Sequence, residues 1–226
     1  MKSPPVLLAL LVALVLVGLL GGRRAEAGPD LEALIKDAPR CDAARASCFG
    51  LAFHIAVGED GPIATADWIT AQLAGANRHF APLDVAFQIT GVTALPAAAV
   101  RVKDRKERDA LGATIAGTVV DVFVTGQLDD VDLDGAFARG VTWRGKGGRK
   151  FVIISTQAPE RVLAHELGHV FGLPHSRYPI SIMNKTPRDE PPVEQRRFAD
   201  EEIAAMQAQR ARLVRDKVLA NLAVKP

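Results

Sequence analysis

The sequence predicts a single domain of α+β class, and three observations predict it. Short runs that alternate large apolar residues with small or polar ones, as half-buried strands do, recur between Leu51 and Ser155. One helical segment interrupts these runs early and two follow them, and between the last two lies a Pro- and Asn-rich stretch that fits neither period. The chain has 226 residues, 48% hydrophobic and 24% charged, enough to bury a core without staples.

The elements follow in order. Residues 28–46 mix Pro, Asp, Lys and Arg and read as a lead-in with at most a short helix. Leu51–Val57 is a strand and Gly58–Pro62 a turn. Thr65 or Asp67 can cap a helix running through Trp68, Ile69, Leu73 and Ala76 towards Phe80. Val85–Thr90 alternates again. A strand near Ala99–Val102 is followed by Lys103–Asp109, which reads as a solvated charge run. Val119–Val124 reads as a central strand, and Gly140–Trp143 and Phe151–Ser155 flank a basic hairpin tip. Pro159 suits the start of a helix over Ala158–Phe171. Arg177–Pro192 must be irregular, and Phe198–Ala223 resumes helical spacing through Met206, Leu213, Val218 and Leu222.

The first 27 residues are set apart from this pattern. Lys2, an apolar run over Val6–Leu20 and Ala25-Glu26-Ala27 make the n-region, h-region and cleavage site of a secretory signal peptide. A retained N-terminal anchor is the alternative, although the run is short for a bilayer span. The expected location is secreted or periplasmic. Cleavage would leave 25 basic and 25 acidic side chains, so no global field would steer nucleic acid or an anionic membrane to the chain. In an oxidising compartment Cys41 and Cys48, the two cysteines, most simply form one local disulfide.

The chemistry is concentrated in His165-Glu166-Leu167-Gly168-His169-Val170-Phe171-Gly172-Leu173-Pro174-His175. Catalytic zinc needs three protein ligands and one open position. His165 and His169, four apart, share one helix face. Glu166 beside them can take a proton from an activated water. Gly172 can adopt positive φ and end the helix, so that His175 returns as the third ligand.

Eight residues beyond His175 stands Met183. The combination resembles the metzincin clan of zinc endopeptidases, in which a methionine turn underlies the histidines, and the spacing is similar to that of matrixin-like members. The resemblance is specific over Arg161–Asn184 and elsewhere rests on the order of elements. It implies a twisted mixed sheet packed on the active-site helix, an irregular Met-turn segment and a C-terminal helix. The implied site has His165, His169 and His175 on Zn2+, Glu166 as general base and Met183 as structural support. A peptide or protein substrate would lie antiparallel to an edge strand around Ala136–Trp143.

Residues 1–27 are then a signal peptide, 28–48 a lead-in with the disulfide, and 49–226 the catalytic domain of a monomer without a nucleic-acid partner. One departure from the pattern stands out: where several subfamilies carry a tyrosine two residues after the methionine, this chain has Lys185, and its one tyrosine, Tyr178, precedes the turn. A non-catalytic zinc-binding module for peptide capture or structure is therefore the alternative reading. Asp130, Asp132 and Asp134 reproduce half of a calcium loop, with Val141 where the closing glutamate would stand, so a Ca2+ site there is an expectation of its own.

Overall fold

The computed structural model describes residues 44–223 together with 33, 36 and 38–41. The expected export segment, residues 1–27, lies outside the described residues.

The sheet is built around β1 (Ser47–Gly58), which pairs in parallel with β3 (Val85–Leu95) on one side and β5 (Val120–Thr125) on the other. A two-residue strand, β2 (Gly61–Pro62), folds back on the end of β1. Beyond β5 come β8 (Lys150–Ser155), parallel to it, and β7 (Gly140–Arg144), antiparallel to β8 at the sheet's edge. Two short strands, β4 (Arg101–Val102) and β6 (Gln127–Leu128), pair separately. All six residues of β5 are buried, as the near-continuous apolar run of a central parallel strand requires.

Alternation along the strands divides the interior. Val122, Val124, Val152 and Ile154 face one core, whereas Phe123, Phe151 and Ile153 face a smaller one on the other side. The larger core is closed by α1 (Ala66–Phe80), which Thr65 caps by accepting the Trp68 N–H, and by α3 (Arg161–Val170). Phe80 sits edge-on to Phe87, Phe171 and Phe198 at 4.9–5.2 Å. Those four rings join α1, β3, the end of α3 and the start of α4 (Asp200–Arg215), each pair contributing about 0.5–1.5 kcal/mol beyond its buried area.

Three expectations change. The charge run after β4 is a helix, α2 (Arg105–Leu111), because the Asp104 side chain accepts the Glu107 N–H at 2.8 Å. Its Arg108 is buried and stacks on Trp143 rather than facing solvent. The C-terminal helix stops at Arg215, since Lys217 adopts φ 55°. The following residues therefore leave the helical stripe: Leu219 is buried, Leu222 is exposed, and the Ala220 and Leu222 N–H groups donate to Thr118 and Cys48. Finally, β1 starts at Ser47, so the division expected at residue 48 falls inside a strand. No helix among the described residues is long and apolar enough to cross a membrane.

Candidate metal and catalytic site

Helix α3 lies under the edge formed by β7 and β8 and carries the first half of the site. His165 and His169 fall on one face, one turn apart, with ring centroids 4.9 Å apart. The helix ends where Gly172 takes φ 93°, a conformation that penalises side chains. The Gly172 N–H donates to His169 and the Leu173 N–H to Gly168, closing the last turn. This reversal returns His175 to within 3.2 Å of His169, Nε2 to Nε2.

Hydrogen bonds assign the tautomers. His165 Nδ1 is 2.7 Å from the Ile182 carbonyl and His169 Nδ1 is 2.7 Å from the Leu173 carbonyl. A carbonyl can only accept, so both Nδ1 atoms carry the proton and both Nε2 lone pairs face the cleft. One ligand atom from each of the three histidines lies within 4.8 Å of the others. Two tetrahedral zinc ligands at ordinary bond lengths are about 3.3 Å apart, close to the His169–His175 separation. Burial holds the His165 imidazole at a pKa of about 4, aided by His169, His175 and Lys185 and opposed by the Ile182 hydrogen bond. Burial, Lys185 and His169 bring His175 to about 4 as well, and burial lowers His169. The rings are thus neutral donors at neutral pH, and the set fits zinc.

Glu166 is 4% exposed. Its Oε1 lies 4.0 Å from His165 Nε2, and its Oε2 accepts the Thr142 hydroxyl at 2.9 Å. The same hydroxyl is 2.7 Å from the Glu166 carbonyl, so β7 grips both ends of the residue. Burial pushes the carboxyl up to about 7, against the Thr142 hydrogen bonds and Lys185, which favour the ionised form. A proton acceptor near neutrality is what general-base chemistry asks for. Lys150 of β8 donates to the His169 carbonyl near the negative end of the helix.

Beneath the histidines, Met183 is fully buried. Gly168 is required there, because a Cβ would come within 2.7 Å of the Met183 sulfur. The turn that delivers Met183 is fixed from below: the buried Ser181 hydroxyl lies 2.8 and 2.7 Å from the two Glu202 carboxylate oxygens and accepts the Met183 N–H. The Glu202 carboxylate also accepts the Ala199 N–H at the start of α4. Arg188 donates to the carbonyls of Pro179, Ser181, Asn184 and Thr186.

His165, His169, His175, Glu166 and Met183 are therefore brought together, and the expected edge strand is β7. Cys41 and Cys48 are joined to each other, away from the site. The calcium expectation gives way. Asp130 accepts the N–H groups of Asp132 and Leu133 as an Asx turn, and Asp132 pairs with Arg105 at 2.5 Å. The histidine trio is the one metal-type cluster among the described residues. Tyr178 is 42% exposed and does not line the cleft, whereas Lys185 lines it on both sides of Glu166. Sequence reasoning missed Thr142, Lys150 and Arg161 as cleft residues. No local motif links the strand residues Thr142 and Lys150 to helix positions 24 and 19 residues later, and Arg161 stands outside the histidine motif.

Residues 118–209 match the family model described as Matrixin. No curated protein matches the chain by sequence. Among solved structures, the chain is similar to metalloproteinase-II from Bacteroides fragilis, at 13% identity and a TM-score of 0.50 over 79% of this chain and 60% of that one. It is similar to a promirolysin mutant from Tannerella forsythia, at 12% identity and a TM-score of 0.50 over 84% and 89%. For an archaemetzincin from Methanopyrus kandleri the values are 15% and 0.49, over 77% and 99%. At such identities the likeness to metalloproteinase-II and promirolysin is one of fold.

Proposed function

We propose that this chain, a metzincin-clan zinc metallopeptidase by its matrixin match and its fold, is an exported endopeptidase in which Glu166 is the general base. The observation that supports the reading best is the convergence of the three histidines with a buried carboxylate beside an open sheet edge.

His165, His169 and His175 would hold the ion. Zinc, when bound, polarises the scissile carbonyl and acidifies water. The substrate backbone pairs antiparallel with β7, the strand that β8 leaves free on one side. Glu166 accepts a proton from the attacking water on its carboxylate and delivers it to the departing amine, which leaves the peptide with a free amino terminus and Glu166 ionised again. Thr142 keeps that carboxylate aimed across the cleft and favours its charged form between turnovers. Lys185 contributes positive charge where the carbonyl oxygen becomes negative. Export is in keeping with the apolar leader and with the Cys41–Cys48 disulfide.

Digestion of a mixed peptide library with and without a chelator tests the activity. Glu166→Ala should retain one zinc per chain and lose on the order of 10^2–10^4 in kcat/KM. Equal cleavage by this variant and the wild type would overturn the assignment. The rival reading, a zinc-dependent peptide-capture module, takes its support from Lys185 standing in the tyrosine position. It predicts library peptides that bind and are recovered intact.

A further inference from the structure

The cleft continues past Glu166 into a cavity of about 470 Å³ whose charge is one-sided. Arg139, Arg161, Lys185, Arg188 and Arg196 line it, and apart from Glu166 the lining carboxylate is Asp130, already engaged in its Asx turn. None of the four arginines forms an ion pair among the described residues. Arg188 and Arg196 are occupied by main-chain carbonyls, which satisfy their N–H groups and leave their charge uncompensated. The guanidinium groups of Arg139 and Arg161 have no hydrogen-bond or ion-pair partner among the described residues.

The position of Arg161 is the telling one. It is half-buried at the first residue of α3, where the helix dipole disfavours a cation. Burial, then Arg196 and Arg139, weaken its hold on the proton; burial, Arg196 and Arg161 do the same to Arg188. The guanidinium groups therefore repel one another across the cavity. Such an arrangement costs stability unless an anion enters it.

We infer that this cavity binds a carboxylate of the substrate on the leaving-amine side of the scissile bond, with Arg161 as its main partner. The inference rests on the proposed peptidase reading. A peptide antiparallel to β7 has its amino-terminal part near Thr142–Arg144 and its carboxy-terminal part near Arg139–Gly140, where the cavity opens. Arg161 lies four residues, just over one helical turn or about 6 Å along the axis, before His165. That distance suits a side chain on the first residue after the bond, or the chain's own terminal carboxylate if the substrate ends there. A guanidinium takes either group in the same bidentate geometry.

Three quenched peptides that differ only after the bond distinguish the sources: Glu with an amidated extension, Gln with the same extension, and Gln ending as a free acid. With the zinc-loaded full chain, a side-chain carboxylate should raise kcat/KM for the first over the second by about tenfold or more, and a terminal carboxylate should raise the third over the second. The advantage should shrink with added salt, fall below about threefold in Arg161→Gln and persist in Arg161→Lys. A Gln or apolar peptide cleaved as fast as both acids by the wild type would overturn the inference, and this comparison needs no variant to fold. Fluorescence anisotropy of the labelled peptides on zinc-loaded Glu166→Gln protein reads the pocket without turnover. Acidic peptides that bind at least about tenfold tighter but are not cleaved by the wild type would refute the peptidase reading and keep this one. Equal binding together with indifferent cleavage would sink it.

Discussion

One wall of the cleft, β7, is positioned by main-chain pairing with β8 over Gly140–Arg144. The opposite wall, residues 176–197, contains no helix or strand apart from a 3-10 turn at Val193–Gln195 and one isolated bridge between Ser181 and Arg197, and side chains on its carbonyls supplement its few main-chain bonds. A ladder distributes its load over many equivalent bonds, so most single side chains on it are dispensable. A turn with scattered main-chain bonds that leans on Glu202, Arg188 and Arg196 has less of that redundancy. The cleft therefore joins a rigid, sequence-tolerant edge to a floor that individual residues determine, and the floor carries Met183 and much of the cationic cavity.

Mutations can break this contrast. The largest effect is expected from Glu202→Ala, which strands the buried Ser181 hydroxyl and Ala199 N–H. Denaturant melts should show a loss of about 2–4 kcal/mol, and a competing chelator should strip zinc faster. Gly168→Ala comes next. Its Cβ meets the Met183 sulfur at 2.7 Å and the Phe198 ring at 3.1 Å, so overpacking should cost about 1–3 kcal/mol and weaken zinc retention, as equilibrium dialysis would report.

Acid tests the seam between the walls. His165 and His175 have pKa values of about 4 when folded against about 6.5 unfolded, so the unfolded chain binds more protons in between. Their contribution is complete above pH 6.5 and is lost as pH falls towards 4. Glu166, raised to about 7, has the opposite sign: its ionisation opposes folding, and stability is recovered as pH falls through 7. Metal-free protein should therefore lose stability between pH 6.5 and 4, and metal-free Glu166→Gln should lose it more steeply. Parallel melting curves for the two would contradict the assignment.

On the sheet wall, Thr142→Val removes the hydroxyl hydrogen bond that helps hold the Glu166 carboxyl down and leaves the main-chain one from the same residue. The acid limb of the kcat/KM profile should move to higher pH, by under about one unit, with a fall of about tenfold or less at neutral pH. Arg144→Ala, an exposed change on the same strand, should alter stability by no more than about 0.5 kcal/mol. A larger loss would show that the edge depends on its side chains after all.

How far these features were legible differs from one to the next. The histidine trio and Glu166 could be read because their spacing is dictated by one helix and one glycine reversal, both local. The strands β5 and β8 could be read because burial on both faces leaves a continuous apolar run. The reading of Lys103–Asp109 failed because a charge run does not reveal that Trp143, far along the chain, stacks over Arg108. The calcium loop misled because three aspartates at alternate positions satisfy a spacing rule without having to converge.

By itself, the order of residues determined which side chains can grip a metal, since a period of 3.6 and a positive-φ glycine act within eleven positions. Only the tertiary structure decided what surrounds them: Thr142 on Glu166, Glu202 under Ser181, and the arginines around one cavity. Those groups come from separate elements, and their meeting depends on how sheet and helices pack, a property of the whole core that no local pattern carries.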